Sequence, residues 1–379
     1  MALAISSGAT SFAQADGEFL DLSNELAEII RRDNTAFIGR LGISGEATET
    51  LHSWMEDSLN ANNFVSSATA LNTSVTTMSA VTGEGSRLKV GSLIKDKVAG
   101  STEVMQVTAI SGDTLTVVRG YGSTSGQTHL ASAEYLIFAN TQQESQDAPG
   151  DESTTRSKVS NYTQIFTKGV KISTTMRAVL QAGVADEFTF QVARRLMEIM
   201  RELDSSVING ISSGSQGSDS VYRSMGGIIE FVSASGGNIN TTAEALTPSV
   251  LNDMCKQIWD KGGNPDFILV SGKQKRAISS FDQAYRRSSY DGKVAGYVVD
   301  KFMSDLGFML DVVVDPWMPD DVLIVGDLSK CKVLPLRQDS MRVEELAKTG
   351  RADKAQVTGQ YTAEFRNATE AFAYHNNLS

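Results

Sequence analysis

Among the residues able to do chemistry, Gly210-Ile211-Ser212-Ser213-Gly214 fits the G-x-S-x-G pattern of a hydrolase nucleophile. That pattern works through a sharp strand-to-helix turn that lifts the serine oxygen above a sheet, next to a histidine base. Here Ser212 follows a long helical signal and enters a Gly/Ser run. Its base would have to be His52, His129 or His375, the three histidines of the chain. A loop after a helix is the simpler reading, and a serine hydrolase is the distant alternative. Ser271-Gly272-Lys273-Gln274-Lys275-Arg276 lies between a strand signal and a helix signal, a setting that suits phosphate. It lacks the upstream glycine of a P-loop, and Gln274 stands where a magnesium-holding Ser or Thr is needed.

Metal and redox chemistry fare no better. Asp151-Glu152 and Asp320-Asp321 are adjacent acids, not the spaced oxygens of a calcium loop. The three histidines share no local spacing, so a zinc site is not expected. Cys255 and Cys331 form neither a Cys-x-x-Cys site nor a disulfide framework and read as buried thiols. Gly120-Tyr121-Gly122 lacks the third glycine of a dinucleotide fingerprint and reads as turn chemistry. No cofactor and no metal is expected, and nothing assembles an acid, a base and a nucleophile. The residues favour a structural or binding protein over an enzyme.

The bulk properties agree. The chain has 379 residues, 41% hydrophobic and 21% charged, with 34 basic against 45 acidic side chains and a formal charge of −11. That length predicts two or three domains. An acidic surface disfavours a dedicated nucleic-acid binder, which must displace counterions, and a polybasic membrane anchor. Apolar runs such as Phe267–Val270 fall far short of the roughly 20 residues a bilayer requires. Ala13-Gln14-Ala15 mimics a signal-peptidase site, but no basic region precedes it.

Residues 1–19 read as a flexible arm, and Leu22, Leu26 and Ile29 predict a short helix over Leu20–Arg32. Leu51, Trp54, Met55 and Leu59 are helix-spaced too. Residues 61–140 are rich in Thr, Ser, Val and Gly, with strand-like runs at Leu88–Lys95, Val104–Ile110, Thr114–Arg119 and Glu134–Phe138. Short strands with glycine turns predict a small β-barrel or sandwich. Thr141–Thr155 is a polar linker or exposed loop. Asn161–Val170 reads as a strand with Tyr162, Gln164 and Phe166 on one side, and it has no obvious partner nearby.

Asp186–Ile208 carries the strongest helical signal, with Phe188, Val192, Leu196, Ile199, Leu203 and Val207 in one stripe and acids in the first turn. Its core is expected to be the strands near Met341–Ala347 and Gln356–Phe365. Thr247–Lys261 is a helix with Thr247 as cap and Pro248 at its first position. Phe267–Val270, Asp311–Val314 and Val322–Val325 read as strands and Lys273–Phe281 as a helix.

Several of these segments, in order, resemble the major capsid proteins of tailed bacteriophages, which carry the Hong Kong 97-type fold. They are Trp54-Met55-Glu56-Asp57, Asn161-Tyr162-Thr163-Gln164-Ile165-Phe166, Met225-Gly226-Gly227-Ile228, Ile258 to Asp266, Asp315-Pro316-Trp317-Met318-Pro319, Glu345 to Gly350 and Gly359 to Glu364. The order over most of the chain carries the resemblance. The departure is residues 61–145, where a β-module stands inserted.

The resemblance implies an α+β fold: an N-terminal arm and start of the capsid fold (1–60), an inserted β-barrel-like domain (61–145) and an extended loop (146–170). A peripheral domain (171–225 and 341–379) with spine helix 186–208 and an axial domain (226–340) complete it. It implies a subunit that assembles with itself into pentamers and hexamers of an icosahedral head around double-stranded DNA, held without sequence-specific contacts. Scaffolding, portal and decoration proteins would be further partners. The location would be the virion, after assembly in the host bacterial cytoplasm, with no membrane. A nanocompartment shell of the encapsulin kind is the alternative. Trp54, Arg156, Lys158, Tyr162, Gln164, Phe166, Lys168 and Arg201 are the candidate interface residues. Some capsids of this fold form Lys–Asn isopeptide cross-links, for which Lys158 or Lys168 would be donors and Asn367 or Asn376 acceptors.

Overall fold

The computed structural model describes residues 36–57, 59–67, 70–144, 155–178, 186–281, 286–287, 301–348 and 350–379. The expected arm 1–19, the helix at Leu20–Arg32 and the acidic stretch Asp147–Glu152 lie outside them. Contacts divide the described chain into two units. One runs to Trp54 and resumes over Lys158–Ser379, and the other is the continuous stretch Met55–Ser157.

The chain opens with α1 (Ala36–Leu41) and β1 (Leu51–Glu56). The second unit holds β2 (Asn63–Val65), β3 (Thr77–Ser79), β4 (Ser92–Asp96), β5 (Val104–Ser111), β6 (Thr114–Val118) and β7 (Glu134–Asn140). These form one antiparallel sheet in the order β2-β7-β4-β5-β6-β3. The two terminal strands of that order meet through an antiparallel bridge, Ser66 to Ala80, with Ser67 N donating to Ser79 O at 2.6 Å. Burial alternates strictly along β4 and β6, as a half-buried strand requires. Phe64, Ile94, Met105, Val107, Leu115, Val117 and Tyr135 are thereby gathered on one side as a core. The β5–β6 turn is Gly112-Asp113, and Gly112 takes φ 59°, a left-handed conformation that glycine adopts without penalty.

The first unit continues with β8 (Ser157–Tyr162), which pairs with β1, then β9 (Gln164–Ser173), α2 (Thr174–Ala178), α3 (Glu187–Asn209) and α4 (Ile228–Ala234). Next come β10 (Asn238–Asn240), α5 (Pro248–Asp260), β11 (Phe267–Val270), α6 (Gly272–Ser279), β12 (Arg286–Arg287), β13 (Lys301–Met303), β14 (Met309–Val314) and β15 (Leu323–Gly326). The chain closes with β16 (Cys331–Pro335), β17 (Arg342–Leu346), β18 (Ala352–Phe365), α7 (Ala368–Ala371) and β19 (Phe372–His375).

A seven-stranded mixed sheet runs β10-β19-β15-β11-β14-β13-β12. Its central strands β11, β15 and β19 are buried at every position, which explains why β11 and β15 read as continuous apolar runs with no alternation. Successive side chains still point to opposite faces. Phe267, Leu269, Ile324 and Phe372 enter the core built with α3, whereas Ile268, Val270, Leu323 and Val325 enter the core built with α5 and α6. The four-stranded sheet is centred on β18, flanked by β16, β17 and β9, and α3 packs on β9 and β18.

The helix starts follow their caps. Asp186 accepts from Phe188 N at 3.2 Å, Thr247 from Val250 N at 3.4 Å and Ser271 from Gln274 N at 3.5 Å, each satisfying a donor with no partner inside its helix.

The structure corrects three expectations. Residues 51–56 form a strand rather than a helix: Trp54 is buried against Phe231 at 5.8 Å, and pairing with β8 overrides the local spacing. Phe166 is not on an open strand, because β9 pairs with β18 over Gln164–Ser173 and places Phe166 in the core beside Tyr361 at 6.4 Å. The buried stripe of α3 covers only its C-terminal half: Ile199, Leu203, Val207 and Ile208 are fully buried, while Leu196 is 39% exposed. Phe372–His375 lies in the seven-stranded sheet and Cys331–Pro335 in the four-stranded one.

Candidate assembly surfaces and buried charge clusters

The eight candidate interface residues divide by their surroundings. Trp54 and Phe166 are buried within the first unit, and Gln164 is tied there through its Oε1, which accepts from Met225 N at 3.1 Å. Lys168 Nζ pairs with Glu202 of α3. Arg156 is largely exposed, with its Nε 3.7 Å from Asp57 Oδ2. Lys158 is exposed on β8, and Tyr162 and Arg201 are half-buried. Three of the eight are thus packed within the first unit, and the others keep side-chain surface.

A further apolar surface was not legible in the sequence. Ile165 (59% exposed), Val221 and Tyr222 (96% exposed) line an open groove with Gln216 and Arg223. Arg223 holds this segment to the junction between β8 and β9 through its Nε, which donates to Thr163 O at 2.6 Å.

Ser212 stands just after α3 and not at a strand-to-helix turn. Its N–H donates to Glu230 Oε2 at 2.7 Å and its Oγ accepts from Gly214 N at 3.3 Å. The histidines have partners elsewhere: His52 with Glu364 at 3.4 Å, His375 with Glu244 at 3.0 Å, and His129 with two carboxylates. Burial pushes the Cys255 thiol up to about 12 and the Cys331 thiol well above its usual value, so both are held as neutral packing groups. Among the described residues no three His, Cys, Asp or Glu side chains cluster as metal ligands.

Two buried charge clusters went unseen in the sequence. In the second unit, Arg119 Nε and Nη2 reach Glu103 Oε1 and Oε2 at 2.7 and 2.8 Å. Glu103 also accepts from Gly120 N at 3.0 Å and Gln127 N at 2.6 Å, and its Oε2 lies 2.9 Å from His129 Nε2. The other imidazole nitrogen is 2.7 Å from Asp96 Oδ2. Burial alone would raise the Glu103 pKa, but Arg119, the Gln127 and Gly120 N–H groups and His129 outweigh it and hold the carboxyl down at about 2. The second cluster is Asp204 of α3 with Asp315, both without exposed surface in the first unit. The available signal was a set of ionisable residues inside otherwise apolar patterns, since Asp204 follows Leu203 in the stripe and Glu103 opens a strand.

In the first unit the long helix α3 is laid on the four-stranded sheet, and the larger mixed sheet completes the unit. Among solved structures, the capsid of a native GTA particle aligns at TM-score 0.51 with 11% identity, covering 98% of this chain and 100% of that one. The Microbacterium phage Oxtober96 chain aligns at 0.49 with 11% identity, covering 96% and 97%. The SrpI encapsulin of Synechococcus elongatus aligns at 0.44 with 13% identity, covering 59% of this chain and 76% of that one. No curated protein matches the sequence. The family model of the SU10 major capsid protein matches residues 5–379, and the chain belongs to that family. It is a tailed-phage major capsid protein that assembles from copies of itself and resides in the virion.

Proposed function

We propose that this chain builds pentamers and hexamers of an icosahedral head around double-stranded DNA, with no catalytic role. The family match over residues 5–379 carries this reading. The net charge of −11 fits a container whose wall does not grip its cargo, since like charges repel. Assembly takes place in the host bacterial cytoplasm, with scaffolding, portal and decoration proteins as further partners. Residues 61–145 act as an inserted barrel-like module that decorates the shell or bridges neighbours. Arg156, Lys158, Tyr162 and Arg201, which keep surface available, are the interface residues of this reading. The test is to purify particles from infected cells and assay nuclease-protected DNA. Protected double-stranded DNA supports a phage head, whereas shells filled with one protein cargo and no DNA favour the encapsulin-like alternative.

A further inference from the structure

Asp204 and Asp315 meet where the spine helix α3, the start of α1 and the segment after β14 join. Ile38 N donates to Asp204 Oδ1 at 3.0 Å, Phe37 N to Asp315 Oδ2 at 3.3 Å and Trp317 N to Asp315 Oδ1 at 2.9 Å. The first two of these bonds satisfy open N–H groups in the first turn of α1. Asp204 Oδ2, however, is buried with no donor from the protein. A buried carboxylate oxygen without a donor is costly, and two carboxylates sharing one site do not both ionise easily.

The charged groups on the surrounding elements are engaged elsewhere. Arg40 of α1 and Lys301 of β13 pair with Asp311 of β14 at 3.0 and 3.1 Å, Lys168 of β9 with Glu202, and Arg195 with Glu198 at 2.5 Å. Glu230 of α4 takes Ser212 N, and Glu364 of β18 takes His52 and Arg366. Cys331 of β16 is a neutral thiol. The charge that acts on Asp204 is that of Asp315.

We propose that Asp204 and Asp315 hold one proton between them, Asp204 Oδ2 donating to Asp315, and that this proton latches α1 to the spine helix. When α1 opens, the proton leaves to water or hydroxide and both carboxyls become hydrated anions. Phe37 and Ile38 are 0% and 4% exposed, so opening also draws core side chains outward.

Burial, and after it the hydrogen bond and charge of Asp315, hold Asp204 up at about 8, against 3.8 for a free carboxyl. The closed state therefore binds the proton more tightly than the open one. The latch is strongest below pH 3.8, weakens as pH rises toward about 8, and stays level beyond that, where the closed state is ionised too.

The test is hydrogen exchange at the Phe37 and Ile38 amides of the full chain, corrected for intrinsic base catalysis. Opening is expected to increase by up to about tenfold per pH unit within that window and then level off. Asp204→Asn keeps an acceptor for Ile38 N and an amide donor toward Asp315 but cannot titrate, so its profile should be flat. A variant slope equal to that of the wild type overturns the proposal. Infrared spectroscopy of the wild type needs no variant: a carboxylic-acid C=O band must persist at neutral pH and fade near pH 8. Its absence at neutral pH also overturns the proposal.

Discussion

Arg119 meets Glu103 as a two-pronged ion pair inside the second unit, at 2.7 and 2.8 Å, with Arg119 Nη1 also donating to Asn72 O at 2.6 Å and Val75 O at 2.9 Å. One guanidinium thus ties strand β6 to the loop before β3. Removing one partner of such a pair strands the other charge in the interior, at a cost of about 3–5 kcal/mol. Arg119→Met is expected to lower the unfolding free energy of the stretch Met55–Ser157 by that amount, read by denaturant titration followed through the near-ultraviolet signal of Tyr135.

The same cluster sets an acid limit. The Glu103 pKa falls from 4.5 to about 2 on folding, so its stabilisation is fully present above pH 4.5 and is lost as pH falls through about 2. Glu103→Gln removes that dependence. Acid titration of the two proteins should give a smaller loss of stability for the variant between pH 4.5 and 2, and parallel curves would contradict the assignment.

Phe166→Ala removes a ring from the core shared by β9, β18 and α3, and is expected to cost about 3–5 kcal/mol. The loss appears in subunit melting before any assembly step. A variant that melts normally yet fails to assemble would place Phe166 at an interface instead.

Leu203→Ala and Leu196→Ala test how far the spine helix is buried. Leu203 is fully buried and its truncation should cost about 2–5 kcal/mol. Leu196, at 39% exposure, should cost clearly less. Equal melting losses would show that the N-terminal half of α3 is covered as well.

Gly91→Ala is expected to destabilise the second unit by more than about 1 kcal/mol. Gly91 sits at φ +94°, and an added Cβ would lie 2.0 Å from Thr141 O. An unchanged melt would contradict that close approach.

Local signals made part of this fold readable. The acids at the start of α3, the Thr247-Pro248 cap, the apolar run of β11 and the glycine turns of the β-module all act within a few residues, so spacing and residue type suffice. The misreadings arise where the deciding partner is remote. Trp54 is helix-spaced with Leu51, Met55 and Leu59, yet its strand pairs with β8, about a hundred residues on. Phe166 finds its partner at Gly359 and Tyr361. The stripe of α3 shows which side is apolar but not where the sheet beneath it ends, hence the exposed Leu196. The candidate interface was least legible, because a residue type does not state whether its cover is the same chain or the next copy. Trp54, Gln164 and Phe166 prove to be covered by their own chain.

Electron microscopy of the purified full chain under assembly conditions decides whether it is a shell subunit. Closed particles or sheets whose averaged capsomers show fivefold and sixfold symmetry are the expected result. A monodisperse monomer at every concentration and salt tried, with no capsomers or shells, would contradict it.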